Sequence, residues 1–274
     1  MAFYTPPVQC DATGRLASSP GRRAWYFMHA LGRAALPDEV TVADRRFRAT
    51  EFIKHDFFAA TGFYTDVATG DRVVLKMSRT EPFLGLPMRW LGRLISEREL
   101  RFYHRLADLP NVPAVIGRVG RTGLVHAYVA GQPLKKGVSV PDGFFAELND
   151  LITTMAARGI AIVDTNKPEN ILLGHDGRPY LIDFQISFDV KDLFGLWPAG
   201  PLLRLFTRTD RYHVRKHKSR LRPDLMTPEE IQAVSTPMWP IRLHRRLTRP
   251  YFIIRRRLFA HLRATGRLMP EGSK

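Results

Sequence analysis

Residues Ile162–Leu173, IVDTNKPENILL, set an aspartate, a lysine and an asparagine directly ahead of a strand-like apolar run. A few residues later, Tyr180–Gln185, YLIDFQ, is an apolar strand with a carboxylate at its end. An unpartnered charge on a buried strand is costly, so Asp183 needs company. The turn residues His175–Gly177 between the two runs read as a hairpin. Pairing across it would bring Asn170 and Asp183, thirteen positions apart, to one edge. Singly, each reads as a cap or a structural acid. Together they read as an amide oxygen and a carboxylate, the hard ligands that Mg²⁺ takes beside nucleotide phosphates.

Working outward, residues 1–39 form an irregular extension, in which Gly21–Leu36 has the pattern of a short amphipathic helix stopped by Pro37. From Val40 the texture is β-rich. Strands are expected at Phe52–Phe58 and Gly62–Val67 around the turn AATG, and at Arg72–Met77 after the turn Thr69–Asp71. Apolar residues at helical spacing predict a helix from Trp90 to Leu106. Strands follow at Val115–Val119 and Leu124–Val129, then a linker, GQPLKKGVSVPDG, and a helix over Phe144–Arg158 closed by Gly159. Beyond 190 the chain is helical, basic and interrupted by prolines. The expected class is α+β in two lobes: a small β-rich N-lobe with one helix at 40–128 and a larger, mostly helical C-lobe at 129–235. Basic amphipathic helices follow at 236–274.

PENILL…YLIDF resembles the stretch of protein-kinase-fold phosphotransferases that runs from the catalytic loop to the DFG motif. The resemblance implies ATP and Mg²⁺ as cofactors, with Asn170 and Asp183 as metal ligands and Phe184 as the DFG phenylalanine. Gln185 stands in place of the glycine, which suggests a fixed segment. In the family the catalytic aspartate precedes that asparagine by five positions, where this chain has Thr165, a residue that cannot act as a base at neutral pH. Counted from the helix end, ARGIAIVD resembles the kinase run SRGIVHRD and delivers Asp164 instead. A one-residue insertion at Thr165–Asn166 reconciles the counts. It makes Asp164 the base that orients the acceptor hydroxyl and places Lys167 near the transferring phosphate.

Lys76 in VVLKM resembles the VAIK lysine on the third strand of the small lobe, with Glu99 of the following helix as its partner and Glu97 as the alternative. The glycine-rich loop is reduced to Gly62 in HDFFAATGFY, whose backbone amides are candidates for phosphate contact. Tyr128 and Val129 occupy the hinge position, where backbone groups would pair with adenine. Val163 replaces the arginine before the catalytic aspartate, and no APE motif follows. Control by activation-loop phosphorylation is therefore not expected. The pattern looks most like the bacterial lipopolysaccharide kinase and RIO-like branch.

The chain has 274 residues, a single cysteine and a net charge of +16. One cysteine cannot form an internal disulfide and suits a reducing compartment. No secretory leader or membrane-spanning run is legible, so a cytoplasmic protein is expected. Residues 201–270 carry seventeen Lys or Arg against four Asp or Glu, which calls for an anionic partner. An anionic membrane surface leads and nucleic acid follows, because the arginines alternate with apolar residues rather than with stacking aromatics. The expected function is transfer of phosphate from ATP to a hydroxyl of an anionic, membrane-associated acceptor such as lipopolysaccharide core or a lipid-linked sugar, on the cytoplasmic face. The alternatives are an inactive pseudokinase scaffold at the membrane and a RIO-like kinase associated with protein or RNA.

Overall fold

The computed structural model describes residues 26–194 and 196–236, with isolated positions at 246, 249, 250, 253, 257 and 260. The basic helices expected over 236–274 and the first 25 residues of the extension lie essentially outside the described residues. The chain divides into two compact units. One runs to Glu97 and includes Val115–Tyr128; the other joins Arg98–Ala114 to Val129–His244.

In the first unit, strands β1 (Glu39–Val42), β2 (Arg45–His55), β3 (Ala59–Asp66), β4 (Arg72–Ser78), β5 (Val115–Val119) and β6 (Gly123–Ala127) form one sheet. Their order is β1-β2-β3-β4-β6-β5, and neighbouring strands are antiparallel. One face buries Val40, Val42, Phe47, Tyr64, Val73, Leu75 and Val125. Each such side chain contributes roughly 1.5–3 kcal/mol by leaving water. Asp66 closes the β3–β4 turn: its carboxylate accepts from the amides of Ala68 and Thr69 and from Arg45 Nε at 2.6 Å. Helix α1 (Arg89–Arg105) begins against this unit. A Cβ on Gly92 would lie 1.9 Å from the Arg79 carbonyl oxygen, so only glycine permits the approach.

Three sequence expectations change here. The β2–β3 turn lies at Asp56–Phe58, with the Asp56 carboxylate accepting from the amides of Phe58 and Ala59. The AATG residues therefore lie inside β3. An extra edge strand, β1, makes the lysine-bearing strand the fourth of the sheet. Within 26–36 there is a 3-10 turn at Tyr26–Met28 and no α-helix. Its backbone is bonded elsewhere: Ala30 N–H to Asp56 O, Leu31 N–H to His55 Nε2, and the amides of Thr80 and Glu81 to Ala30 O. Fully buried Arg79 donates to the carbonyls of Phe27, His29, Phe57 and Pro82, which pins this strap to the sheet.

In the second unit, α2 (Phe144–Ala157) buries Phe144, Phe145, Leu148, Leu151, Ile152 and Met155. A three-stranded sheet combines β7 (Gly131–Pro133), β9 (Ile171–Gly174) and β10 (Pro179–Leu181), and β8 (Ile160–Ala161) pairs with β11 (Phe188–Asp189). The expected linker is thus partly strand. Gly131 passes so near β9 that a Cβ would meet Leu173 O at 2.3 Å. Helices α3 (Ala199–Leu221) and α4 (Pro228–Ser235) complete the described fold.

Candidate active site

The site is built from loops that two glycines and a hairpin put in place. Gly159, at φ 78°, turns the chain out of α2, and β8 leads into Val163 at φ 70°. A β-branched residue in the left-handed region is strained and persists only when its surroundings hold it. Asp210 on α3 does the holding. Its carboxylate accepts from the amides of Ile162 (3.0 Å) and Val163 (3.3 Å) and from the Thr165 hydroxyl (2.8 Å). Burial pushes the Asp210 carboxyl up to about 6, against the pull of those donors. His217, seven positions on and so on the same helix face, places Nε2 2.9 Å from Thr165 O.

Thr165 is thereby turned inward, fully buried on Asp210. Asp164 faces the other way. Its carbonyl and its carboxylate each accept from Asn170 Nδ2 at 3.3 Å, and its carboxylate forms an ion pair with Lys167. The added residue is absorbed by a turn, Lys167 N–H to Asp164 O, followed by a 3-10 turn at Pro168–Asn170. Leu134, from the expected linker, ties this turn down with its amide near the carbonyls of Pro168 and Ile171.

The β9–β10 hairpin then carries Asp183 back to the asparagine. Leu181 pairs with Ile171, and Ile182 N–H donates to Asn170 O at 3.1 Å. Asp183 follows at φ 66°, again left-handed. Phe184 is fully buried, 5.1 Å from the Tyr103 ring and 6.5 Å from Phe102. Burial pushes the Tyr103 phenol well above its usual range, and the nearby carboxylates of Glu99 and Asp183 push it further. Glu99 is fully buried, whereas Glu97 is exposed and reaches Arg118 at 3.4 Å.

The donor set fits a magnesium–nucleotide site. Asn170 spends its amide nitrogen on Asp164, which directs the amide oxygen elsewhere, and Asp183 adds a carboxylate. Among the described residues no group of three His, Cys, Asp or Glu side chains gathers as a metal cage. Two oxygen ligands suffice where phosphates and water complete the octahedron.

In the first unit, Lys76 is buried on β4, opposite Thr61 and Leu124. Lys76, Glu99 and Asp183 all have partners. Gly62 lies mid-strand opposite Leu75 and Phe52, tight against Leu36 and Glu51 O, and is no part of a loop. Tyr128 gives its amide to Arg72 O, and its ring packs edge-on against Phe63 beneath the Arg72 guanidinium. Val129 belongs to the second unit.

No protein-family model matches the sequence, and no curated protein is significantly similar to it. Solved structures are similar. The Rio2 kinase from Chaetomium thermophilum, crystallised as an ADP/Mg²⁺–phosphoaspartate complex, aligns with a TM-score of 0.50 at 20% identity over 69% of this chain. The BubR1 kinase domain aligns with a TM-score of 0.50 at 16% identity over 69% of this chain and 66% of its own. The fold is protein-kinase-like. The alignment spans only 62% of the Rio2 chain, and neither likeness singles out the lipopolysaccharide kinase branch.

Within this kinase-like fold, Asp210 and His217, which hold Thr165 inward, are the residues that sequence reading missed. A legible trace existed: Asp210 is the lone acid between Phe194 and Pro223, in an otherwise cationic helix. The same helix shows that the cations of DRYHVRKHKSRLRPD, Asp210–Asp224, do not all face water. His213 and His217 are buried, Lys218 pairs with Glu230, and Arg222 pairs with Asp142 and Asp224.

Proposed function

We propose that this chain is an ATP- and Mg²⁺-dependent phosphotransferase acting on a hydroxyl of an anionic, membrane-associated acceptor such as a lipopolysaccharide core or lipid-linked sugar. The observation that carries the reading is the Asn170 side chain, which holds Asp164 by amide hydrogen bonds while its own backbone receives Ile182, the neighbour of Asp183. These contacts support a reading in which base and metal ligands come from three separate loop positions.

Asp164 accepts the acceptor's proton as its oxygen attacks the γ-phosphorus of ATP, the bond from that phosphorus to the β-phosphate oxygen breaks and ADP leaves. Lys167, already on the Asp164 carboxylate, places an ammonium beside the transferring group, where negative charge needs support. Asn170 and Asp183 would hold Mg²⁺, which supplies neutralisation of the phosphate oxygens. Lys76, paired with Glu99 as read from the sequence, holds the α- and β-phosphates. Tyr128 and Val129 supply the hinge backbone for adenine; with the Tyr128 amide already spent on Arg72 O, its carbonyl is the group left to that role. Gly62 has no phosphate role in this reading because it lies within a strand. The cytoplasmic face of the membrane is the proposed location; among the described residues no helix is long and apolar enough to cross a membrane.

The test is calorimetric ADP binding with and without Mg²⁺, beside ATP turnover of the wild type, Asp164→Asn and Asp183→Asn. Metal-dependent binding with turnover lost in both variants supports the enzyme. Binding without turnover in the wild type, across lipid-linked and saccharide acceptors, would favour the pseudokinase scaffold.

A further inference from the structure

The segment that follows Asp183 and Phe184 is tied down at its base and apolar at its tip. At the base, Arg98 donates to Asp192 Oδ2 at 2.7 Å and to Ser187 O at 2.8 Å. Arg101 pairs with the other oxygen of Asp192, and Arg105 pairs with buried Asp189. The 3-10 turn Val190–Leu193 is thus fastened to α1. Successive turn bonds then run from Phe194 N–H to Lys191 O, Leu196 N–H to Leu193 O and Ala199 N–H to Leu196 O.

This fastened run holds its apolar side chains out in water. Phe194 is 91% exposed, Leu196 62% and Trp197 86%. Phe194 is also held at φ 50°, a left-handed conformation that a bulky residue adopts only under constraint. Adjacent large apolar side chains this exposed mark an interaction surface rather than ordinary surface scatter.

The flanking charge identifies the partner. No Asp or Glu occurs from Phe194 to Thr209, and Arg204 and Arg208, four apart on α3, are both exposed. Among the described residues neither arginine takes part in an ion pair. Arg211 and Arg215 continue the same stripe along the helix. The chain's own segment 237–274 is a poor cover for this surface, since it carries ten Arg or Lys and one acid and would be repelled. An aromatic tip beside unpaired arginines suits an anionic bilayer: the rings enter the headgroup–acyl boundary and the guanidinium groups meet lipid phosphates.

We infer that Phe194, Leu196 and Trp197, with Arg204 and Arg208, form a docking surface for an anionic lipid leaflet. The inference rests on the membrane-associated acceptor proposed above and not on catalysis. It places the lipid contact on the segment that directly follows the metal-binding aspartate.

The test uses the full chain with vesicles of phosphatidylcholine alone or mixed with phosphatidylglycerol, read by co-sedimentation over a salt series and by tryptophan emission. The wild type binds the mixed vesicles, less so as salt rises, and emission shifts to the blue with quenching by brominated acyl chains. That shift is lost in Trp197→Ser. Phe194→Ser/Trp197→Ser and Arg204→Gln/Arg208→Gln each weaken binding by about tenfold or more. Wild-type affinity in both double variants would overturn the proposal, because the bilayer contact would then lie elsewhere. So would a wild-type dimer that the variants turn into monomer, or variants that lose RNA binding instead of lipid binding. Mg²⁺–ADP affinity, measured on every variant, reports folding. A wild type that binds vesicles as described but no nucleotide would sink the kinase reading and leave this one standing.

Discussion

The side-chain amide of Asn170 donates to both the backbone carbonyl and the carboxylate of Asp164, at 3.3 Å in each case. This fixes where the carboxylate points before any substrate arrives. Asp164→Asn is therefore expected to cut ATP turnover by about 10²–10⁴-fold, the usual contribution of a positioned base, with Mg²⁺–ADP affinity nearly unchanged. Asn170→Ala removes the proposed metal ligand as well as the positioning contact, so it should lower both. Calorimetry beside a turnover assay separates the two patterns.

Thr165 gives the complementary prediction. Its hydroxyl is buried on Asp210, so the expected role is structural rather than in proton transfer. Thr165→Val keeps the shape but orphans one carboxylate oxygen, costing about 1–3 kcal/mol in denaturant unfolding. Turnover should stay within about tenfold of wild type, far above Asp164→Asn. A dead Thr165→Val that unfolds normally would assign the base to the wrong residue.

Asp210 predicts a pH signature. Its carboxyl is raised by burial from 3.8 to about 6. Between those values the folded chain holds a proton that the unfolded chain has released, so rising pH lowers stability. The loss is complete above the folded value and absent below the unfolded one. Asp210→Asn lacks this titration. The unfolding midpoint of wild type relative to Asp210→Asn should fall as pH rises from about 4 to about 6 and then level off. Thermal melts across that range give the answer, and parallel curves would refute the assignment.

The arginine clamp on the segment after Phe184 should behave as a mechanical fastening. Asp192→Ala frees Arg98 and Arg101 together, for an expected loss of about 1.5–3 kcal/mol from the charged hydrogen bonds. Limited proteolysis should then cut within 188–197 faster than in wild type, with cleavage elsewhere unchanged. Uniformly faster cleavage would point to global unfolding instead.

Gly92→Ala tests the approach of α1 to the strand end. A methyl group there would meet Arg79 O at 1.9 Å, and backbone cannot yield as a flexible side chain can. The helix must shift, at a cost of about 1–3 kcal/mol. Ala has the better helix propensity, so an unchanged or raised melting temperature would contradict the contact.

Much of this was legible along the chain because it is periodic or local. The alternation in β3, the apolar run of β4, the helical spacing in α1 and α2 and the hairpin after Leu173 each follow from residues near in sequence. Where the reading slipped, a distant partner had intervened. The helix-like stretch before Pro37 is a strap because Arg79 collects its carbonyls from the far side of two strands. AATG is strand because Asp56 caps the chain three residues earlier. Gly62 looked like a phosphate-loop glycine, yet its lack of a side chain serves packing against Leu36.

The order of residues alone set the hairpin that returns Ile182, and with it the segment carrying Asp183, to Asn170, since a two-strand register with its turn is decided by neighbours. It offered two aspartate counts, one ending at position 164 and the other at 165, and an inserted residue reconciles them in favour of Asp164. How the chain absorbs that residue depends on Asp210 and His217, some fifty residues downstream, whose buried side chains draw Thr165 into the core and leave Asp164 facing Asn170. Only packing can decide which of two adjacent side chains turns inward, because successive residues in an irregular loop have no period to assign them a face.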